Sequence, residues 1–234
     1  MTMEEAARVG RTEFAGHGIS YRVVGSGPAL VLVKPHGLPR IYDLMAPLSD
    51  RYTVIQIEPL GFGWSDRPSD YPLAGVHEQV LAVLNQEGVD SFVVWGYSQG
   101  GAMALAIAQA TPRVTGMVAG GWSPMGAPTD AWMRRADREQ QIPIASRAFW
   151  RWYRRFDWLD ELAAMQCPKL VYAGSGDRPR VSGPRGIPRA RDALTQRGVT
   201  LMEFGGLDHR TCNTEPALSN SVVPAVLDWL DNCR

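Results

Sequence analysis

Residues 91–100 read SFVVWGYSQG, and this stretch joins an apolar run to a serine that lies between two glycines. Phe92 to Trp95 form a continuous apolar segment of the kind found in strands that are buried on both faces. The pattern G-x-S-x-G follows at once, and small residues continue to Ala110 with the character of a helix. A serine between a strand and a helix indicates a strained turn that projects its hydroxyl away from the sheet. Side chains two residues either side of Ser98 would collide in such a turn, which explains glycine at both places.

Short apolar runs recur on both sides of this turn, with helical patterns between them. Residues 11–24 alternate polar and apolar side chains and predict a β-hairpin. Further strands are predicted over 29–33, 53–57, 92–95, 114–119, 169–173 and 199–204, and helices over 75–86 and 99–110, within 188–197 and over 215–230. This alternation predicts an α/β fold with a parallel sheet that carries helices on both faces.

The rhythm breaks between residues 121 and 165. This segment holds many aromatic and charged residues and lacks any run typical of a buried strand. We therefore predict a core made of residues 1–120 and 166–234, interrupted by a helical insertion over 121–165. About 45 residues leave room for two or three helices.

Composition excludes several classes of function. Lys and Arg together number 24, as do Asp and Glu, so no net field attracts nucleic acid or an anionic membrane. Cys167, Cys212 and Cys233 are widely spaced, which argues against a disulfide framework or a zinc site. No apolar stretch approaches the length of a membrane span, and the first ten residues lack the apolar centre of a signal peptide. We expect a soluble, cytoplasmic protein that binds no metal.

Two further segments carry a family resemblance. Residues 34–39 read KPHGLP after a predicted strand, and residues 58–66 read EPLGFGWSD. With the serine turn, they make the chain resemble the serine branch of the α/β-hydrolase superfamily. The resemblance implies a mostly parallel eight-stranded sheet flanked by helices, with a short helical cap over 121–165. Glu58 stands where the family usually has Asp, a departure that concerns a structural loop.

The resemblance also implies a catalytic triad in the chain order that this fold requires. Ser98 would be the nucleophile, and His209, in a loop similar to the family's late G-x-x-H segment, the general base. Asp177 follows the strand at 169–173 and would orient that histidine. Asp208 and Asp66 are alternative acids, but neighbours in a loop rarely face each other, and Asp66 belongs to the glycine-rich loop. The other three histidines are expected to have structural roles and not to carry protons in catalysis: His17, His36 and His77.

An acyl-transfer site needs hydrogen-bond donors for the developing oxyanion. The resemblance assigns this role to the backbone N–H groups of Gln99 and Leu38. Contacts with substrate are expected from His36, Gly37, Tyr97 and Trp122. Arginines in the insertion share it with acidic residues, so pairs within helices explain most of them. A second arginine group near Asp177 leaves open a substrate that bears a carboxylate or an acyl carrier, and a homodimer also stays open.

The preferred function is hydrolysis of a small ester, thioester or lactone through an acyl-enzyme, in the manner of a carboxylesterase and without a cofactor. Acyltransferases, cyclases and C–C bond hydrolases share these motifs and remain alternatives. Serine at the turn disfavours haloalkane dehalogenase and epoxide hydrolase relatives, which place aspartate there. A ligand-binding protein without catalysis is a further alternative, although a complete triad argues against it.

Overall fold

A single sheet of eight strands organises the parts of the chain that the computed structural model describes, which are residues 7–33, 47–69, 71, 75–124, 126, 128–139, 142–177 and 186–233. The strand order is β1-β2-β4-β3-β5-β6-β7-β8. The strands are β1 (Arg8–Phe14), β2 (His17–Val24), β3 (Ala29–Val33), β4 (Thr53–Glu58), β5 (Phe92–Tyr97), β6 (Val114–Gly120), β7 (Lys169–Gly174) and β8 (Val199–Phe204). β2 pairs antiparallel with β1 and β4, and all other pairs are parallel. The predicted fold class is confirmed.

Helices follow most of the strands. They are α1 (Val76–Gln86), α2 (Gln99–Ala110), α3 (Asp130–Glu139), α4 (Ile144–Tyr153), α5 (Trp158–Ala164), α6 (Ile187–Thr195) and α7 (Val223–Asn232). The prediction of one helix over 215–230 placed its start wrongly. A π-helical turn over Leu218–Val222 comes first, and α7 begins only at Val223. Pro224 accounts for this break: without an N–H group, proline is tolerated in the first turn of a helix and not in its interior.

Two apolar layers enclose the sheet. In β3, Val31 and Val33 face the layer that contains α1 and α2, whereas Leu30 and Leu32 face the layer that contains α7. Because both faces are covered, successive residues of β3 and of the first four positions of β5 are all apolar. This packing explains why the sequence shows these strands as continuous apolar runs.

The predicted insertion contains α3, α4 and α5. Its aromatic side chains join the apolar layer over α1 and α2, with Tyr153 and Trp158 stacked at a centroid distance of 4.2 Å. The domain limits at residues 121 and 165 stay a prediction. Within the described residues, no helix is both long and apolar enough to cross a membrane.

The arginines of the insertion do not pair as expected. Arg147 and Arg151 of α4 both contact the carboxylate of Asp137 in α3, at 3.3 and 2.5 Å, and Arg154 pairs with Asp130. An i,i+4 pair within one helix joins Arg135 to Glu139. The expectation of mainly intrahelical pairs was therefore wrong. Spacing along the chain reveals neighbours within one helix and not those on the helix packed beside it.

Candidate active site

The turn at Ser98 has the strained geometry that its sequence indicated. Ser98 has φ 56° and ψ −120°, in a region that residues other than glycine rarely occupy. Its N–H group donates to the carbonyl of Gly120 at 2.8 Å. A Cβ atom on Gly96 would lie 1.9 Å from the carbonyl oxygen of Gly100. Glycine at position 96 is therefore a steric requirement of the turn.

Three loops bring a hydroxyl, an imidazole and a carboxylate into line. Ser98 Oγ lies 3.1 Å from Nε2 of His209, and Nδ1 of His209 lies 2.6 Å from Oδ2 of Asp177. Asp177 is buried, whereas the His209 side chain is 37% exposed. A carboxylate at Nδ1 holds the proton on that nitrogen, which leaves Nε2 free to accept from the serine. These three side chains are the ones the sequence proposed.

Backbone hydrogen bonds hold the loop of Asp177 against the loop of His209. The N–H groups of Ser175 and Gly176 donate to the carbonyls of Phe204 and Leu207, at 3.0 and 2.8 Å. A Cβ atom on Gly174 would lie 2.2 Å from the Leu207 oxygen, so this approach needs glycine. The acid and the base are thus fixed to each other by main-chain contacts.

The loop of His209 has its own internal brace. The carboxylate of Asp208 accepts from the N–H groups of Arg210 and Thr211 at 2.9 and 2.8 Å, and the Asp208 N–H donates to the Thr211 hydroxyl at 2.7 Å. The Thr211 N–H bond is the main cause that lowers the pKa of Asp208. Asp66, the other alternative acid, accepts from the Gly18 N–H at 2.7 Å. Both alternative acids are therefore engaged in loop structure.

Tyr97 and Trp122 contact protein groups. The Tyr97 hydroxyl donates to the backbone carbonyl of His209 at 2.7 Å. Trp122 packs on Trp150 at a centroid distance of 4.8 Å, and its indole N–H donates to the Tyr153 hydroxyl at 3.1 Å. Substrate contact by either residue stays a prediction. Nothing in the sequence pointed to the hydrogen bond from Tyr97 to His209. Tyr97 occupies the second position of G-x-S-x-G, and the motif allows any residue there.

The proposed oxyanion donors are only partly within the described chain. Gln99 begins α2, so its N–H group lies at the positive end of a helix of 12 residues. Its side-chain oxygen accepts from the hydroxyl of Ser146 at 3.0 Å, a buried contact that joins α4 to the serine turn. His36, Gly37 and Leu38 lie outside the described residues, and their roles remain predictions.

A small cavity with both polar and apolar walls lies between α4 and the core. Met103 of α2 and Ala145 of α4 both line it. Its volume is about 40 Å³, and Leu60, Phe62, Val76 and Phe149 are among its other walls.

Among the residues described, no three His, Cys, Asp or Glu side chains are grouped to hold a metal ion.

Comparison with known proteins agrees with this architecture. A family model described as the alpha/beta hydrolase fold matches residues 30–140. The chain has the α/β-hydrolase fold. An uncharacterized protein of Mycobacterium tuberculosis is 32% identical over 104 residues, which cover 42% of this chain and 30% of the relative. Haloalkane dehalogenase 2 of the same species is 33% identical over 109 residues, or 44% and 37% of the two chains. The chain thus spans about a third of the length of these curated relatives.

Solved structures resemble the chain over nearly its whole length. A thermophilic esterase from Thermogutta terrifontis has a TM-score of 0.75 at 19% identity, covering 97% of this chain and 99% of the esterase. The enol-lactonase from Burkholderia xenovorans has a TM-score of 0.71 at 18% identity, with coverage of 95% and 100%. A meta-cleavage product hydrolase from Pseudomonas fluorescens has a TM-score of 0.69 at 18% identity, with coverage of 97% and 99%. At these identities the likeness shows the fold.

Proposed function

We propose that this protein is a serine hydrolase that cleaves small esters, thioesters or lactones through an acyl-enzyme intermediate. The observation that carries the proposal is the unbroken line of contacts from Ser98 Oγ through the imidazole of His209 to the carboxylate of Asp177. A serine hydroxyl is a weak nucleophile until a neighbouring base accepts its proton.

In the proposed first half-reaction, Ser98 Oγ attacks the substrate carbonyl while Nε2 of His209 takes the hydroxyl proton. The buried carboxylate of Asp177 stabilises the imidazolium that forms and keeps the ring oriented. The negative charge passes to the carbonyl oxygen, which the N–H groups of Gln99 and Leu38 are proposed to bind. His209 then gives its proton to the leaving group as the carbon–leaving-group bond breaks, and Ser98 remains acylated.

Water completes the cycle by the same groups. His209 removes a proton from water, the resulting oxygen attacks the acyl carbonyl, and the acid departs as Ser98 regains its proton from His209. Nε2 of His209 thus carries the Ser98 proton to the leaving group in the first half-reaction and a water proton to Ser98 in the second.

Two features bear on the substrate. The small cavity lined by Met103 of α2 and Ala145 of α4 is proposed to take a short acyl group. Serine at position 98, in place of a carboxylate nucleophile, favours acyl transfer over the dehalogenase activity in the name of one relative.

The three cysteines bear on the compartment. Cys167, Cys212 and Cys233 are free thiols, which supports a reducing compartment such as the cytoplasm as the place of action.

A fluorophosphonate probe tests the nucleophile directly. We expect labelling of the wild type at Ser98, no labelling of Ser98→Ala, and turnover of short p-nitrophenyl esters that falls about 1,000-fold or more in Ser98→Ala and His209→Ala. Asp177→Asn should lower kcat by about 10,000-fold. Asp192→Asn, an exposed change on α6, is the matched control and should be silent. Folded wild-type protein that labels no better than Ser98→Ala would overturn the proposal.

A further inference from the structure

The residue before the nucleophile contacts the backbone of the base. The Tyr97 hydroxyl donates to the carbonyl oxygen of His209 across 2.7 Å, and the phenol ring lies beside the imidazole with a centroid distance of 5.2 Å. Tyr97 ends β5, and Ser98 follows it directly. Two consecutive residues therefore meet His209 at two points, its backbone carbonyl and its side-chain Nε2.

The Tyr97 ring is itself buried and packed against neighbouring groups. Only 4% of the residue is exposed, and Tyr172 packs against it at a centroid distance of 6.0 Å. Tyr172 is fixed in turn by Trp95, whose indole N–H donates to the Tyr172 hydroxyl at 3.2 Å. Gly121 makes room for the ring, since a Cβ atom there would lie 2.6 Å from Tyr97 Cζ. The phenol hydroxyl thus occupies a fixed position relative to the sheet.

His209 needs such an anchor because its side chain is 37% exposed and rests on a loop. The Asp208–Thr211 brace shapes that loop from within but contains no contact with the sheet. The Tyr97 hydroxyl supplies one, to the residue that carries the imidazole. A small displacement of a reacting group can cost a large factor in rate.

We propose that Tyr97 is a positioning residue that sets the angle at which the imidazole of His209 meets Ser98 and Asp177. The inference rests on the proposed function and replaces substrate contact as the role of the Tyr97 side chain. A positioning role changes the rate of the chemical step, whereas a substrate contact changes binding.

Tyr97→Phe removes the hydroxyl and keeps the ring. Tyr21→Phe is the matched control, because it removes a hydrogen-bonded hydroxyl from another buried tyrosine of the sheet, one that bonds Glu87 and takes no part in holding Tyr97. We expect kcat for p-nitrophenyl esters and the rate of fluorophosphonate labelling to fall about tenfold in Tyr97→Phe, with KM within about twofold. The control should change both rates by less than about twofold.

Proton NMR gives a readout that does not depend on turnover. The His209 Nδ1 proton bonded to Asp177 should exchange with water faster in Tyr97→Phe than in the wild type or in Tyr21→Phe. A raised KM with unchanged kcat, equal losses in the two variants, or unchanged proton exchange would each overturn the inference. If the wild type shows neither turnover nor labelling, the proposed function fails, and the exchange comparison still decides whether Tyr97 holds His209.

Discussion

The candidate site and the helical insertion are held together by different kinds of contact. Around Ser98, Asp177 and His209, main-chain hydrogen bonds join the loops, and glycines allow backbone segments to approach each other closely. In α3, α4 and α5, aromatic side chains and arginine–aspartate pairs make the visible contacts. Backbone atoms cannot move aside as side chains can. A substitution that adds atoms in the site should therefore abolish its activity, whereas substitutions in the insertion should lower stability gradually.

The largest expected effect, a loss of labelling together with a loss of stability, comes from adding one methyl group at Gly96, two residues before Ser98. Gly96→Ala would place Cβ 1.9 Å from the Gly100 carbonyl oxygen, a backbone atom in the first turn of α2. We expect the free energy of unfolding to fall by about 3 kcal/mol or more, and fluorophosphonate labelling to be lost. Urea unfolding and labelling of the folded fraction measure the two effects.

Gly116→Ala provides the control for that change. Gly116 also lies in a buried parallel strand, β6, but a Cβ atom there meets its nearest neighbour at an ordinary 3.5 Å. Its unfolding free energy and labelling should stay near those of the wild type. Equal behaviour of the two variants would contradict the view that the turn is sterically rigid.

An intermediate effect is expected in the insertion. Trp150 is 5% exposed and packs on Trp122, Phe149 and Tyr153 at centroid distances of 4.8, 5.0 and 5.5 Å. Trp150→Ala should lower the free energy of unfolding by about 3 to 5 kcal/mol. Hydrogen exchange should quicken first in α4, while fluorophosphonate labelling of the folded protein persists.

Trp132→Ala is the comparison for Trp150→Ala. Trp132 lies in α3 of the same insertion but is 37% exposed, so its removal should leave exchange in α4 nearly unchanged. Should Trp150→Ala abolish labelling as fully as Gly96→Ala, the distinction between the two regions would not hold.

The smallest effect concerns the charged contacts between α3 and α4. The hydrogen bond from Arg151 is the main cause that lowers the pKa of Asp137. Because the folded-state pKa lies below the usual value of about 4, the pairs stabilise the protein above that pH, and this contribution is lost as the pH falls through the folded-state pKa. Asp137→Asn should therefore unfold at slightly lower urea than the wild type at pH 7, and the difference should shrink as the pH is lowered below about 4.

A double-mutant cycle with Arg151→Gln isolates that pair. The coupling between Asp137 and Arg151 should be measurable at pH 7 in low salt and should vanish in 1 M salt, because both side chains are partly exposed. A coupling that survives both acid and salt would show that the contact is not electrostatic.

Local patterns located the serine turn along the chain, and the resemblance to the α/β-hydrolase superfamily pointed to Asp177 and His209. Gly96 to Gly100 indicated the turn because its strain demands small residues, and the apolar runs before Ser98 and Asp177 marked strands that end at one edge of the sheet. Parallel strands place their carboxyl ends together, so strand order alone brings Ser98, Asp177 and His209 to the same edge.

Contacts between distant side chains needed the tertiary structure. Tyr97 and His209 are 112 positions apart, and Ser146 is 47 positions from Gln99. Nothing in the local sequence of either partner encodes such a bond, because it depends on how two packed elements face each other. The amino-acid sequence thus determined the fold class and the serine turn through local backbone requirements, and the order of the candidate triad through its resemblance to a known family. The packing of helices and loops decided which side chains brace the triad.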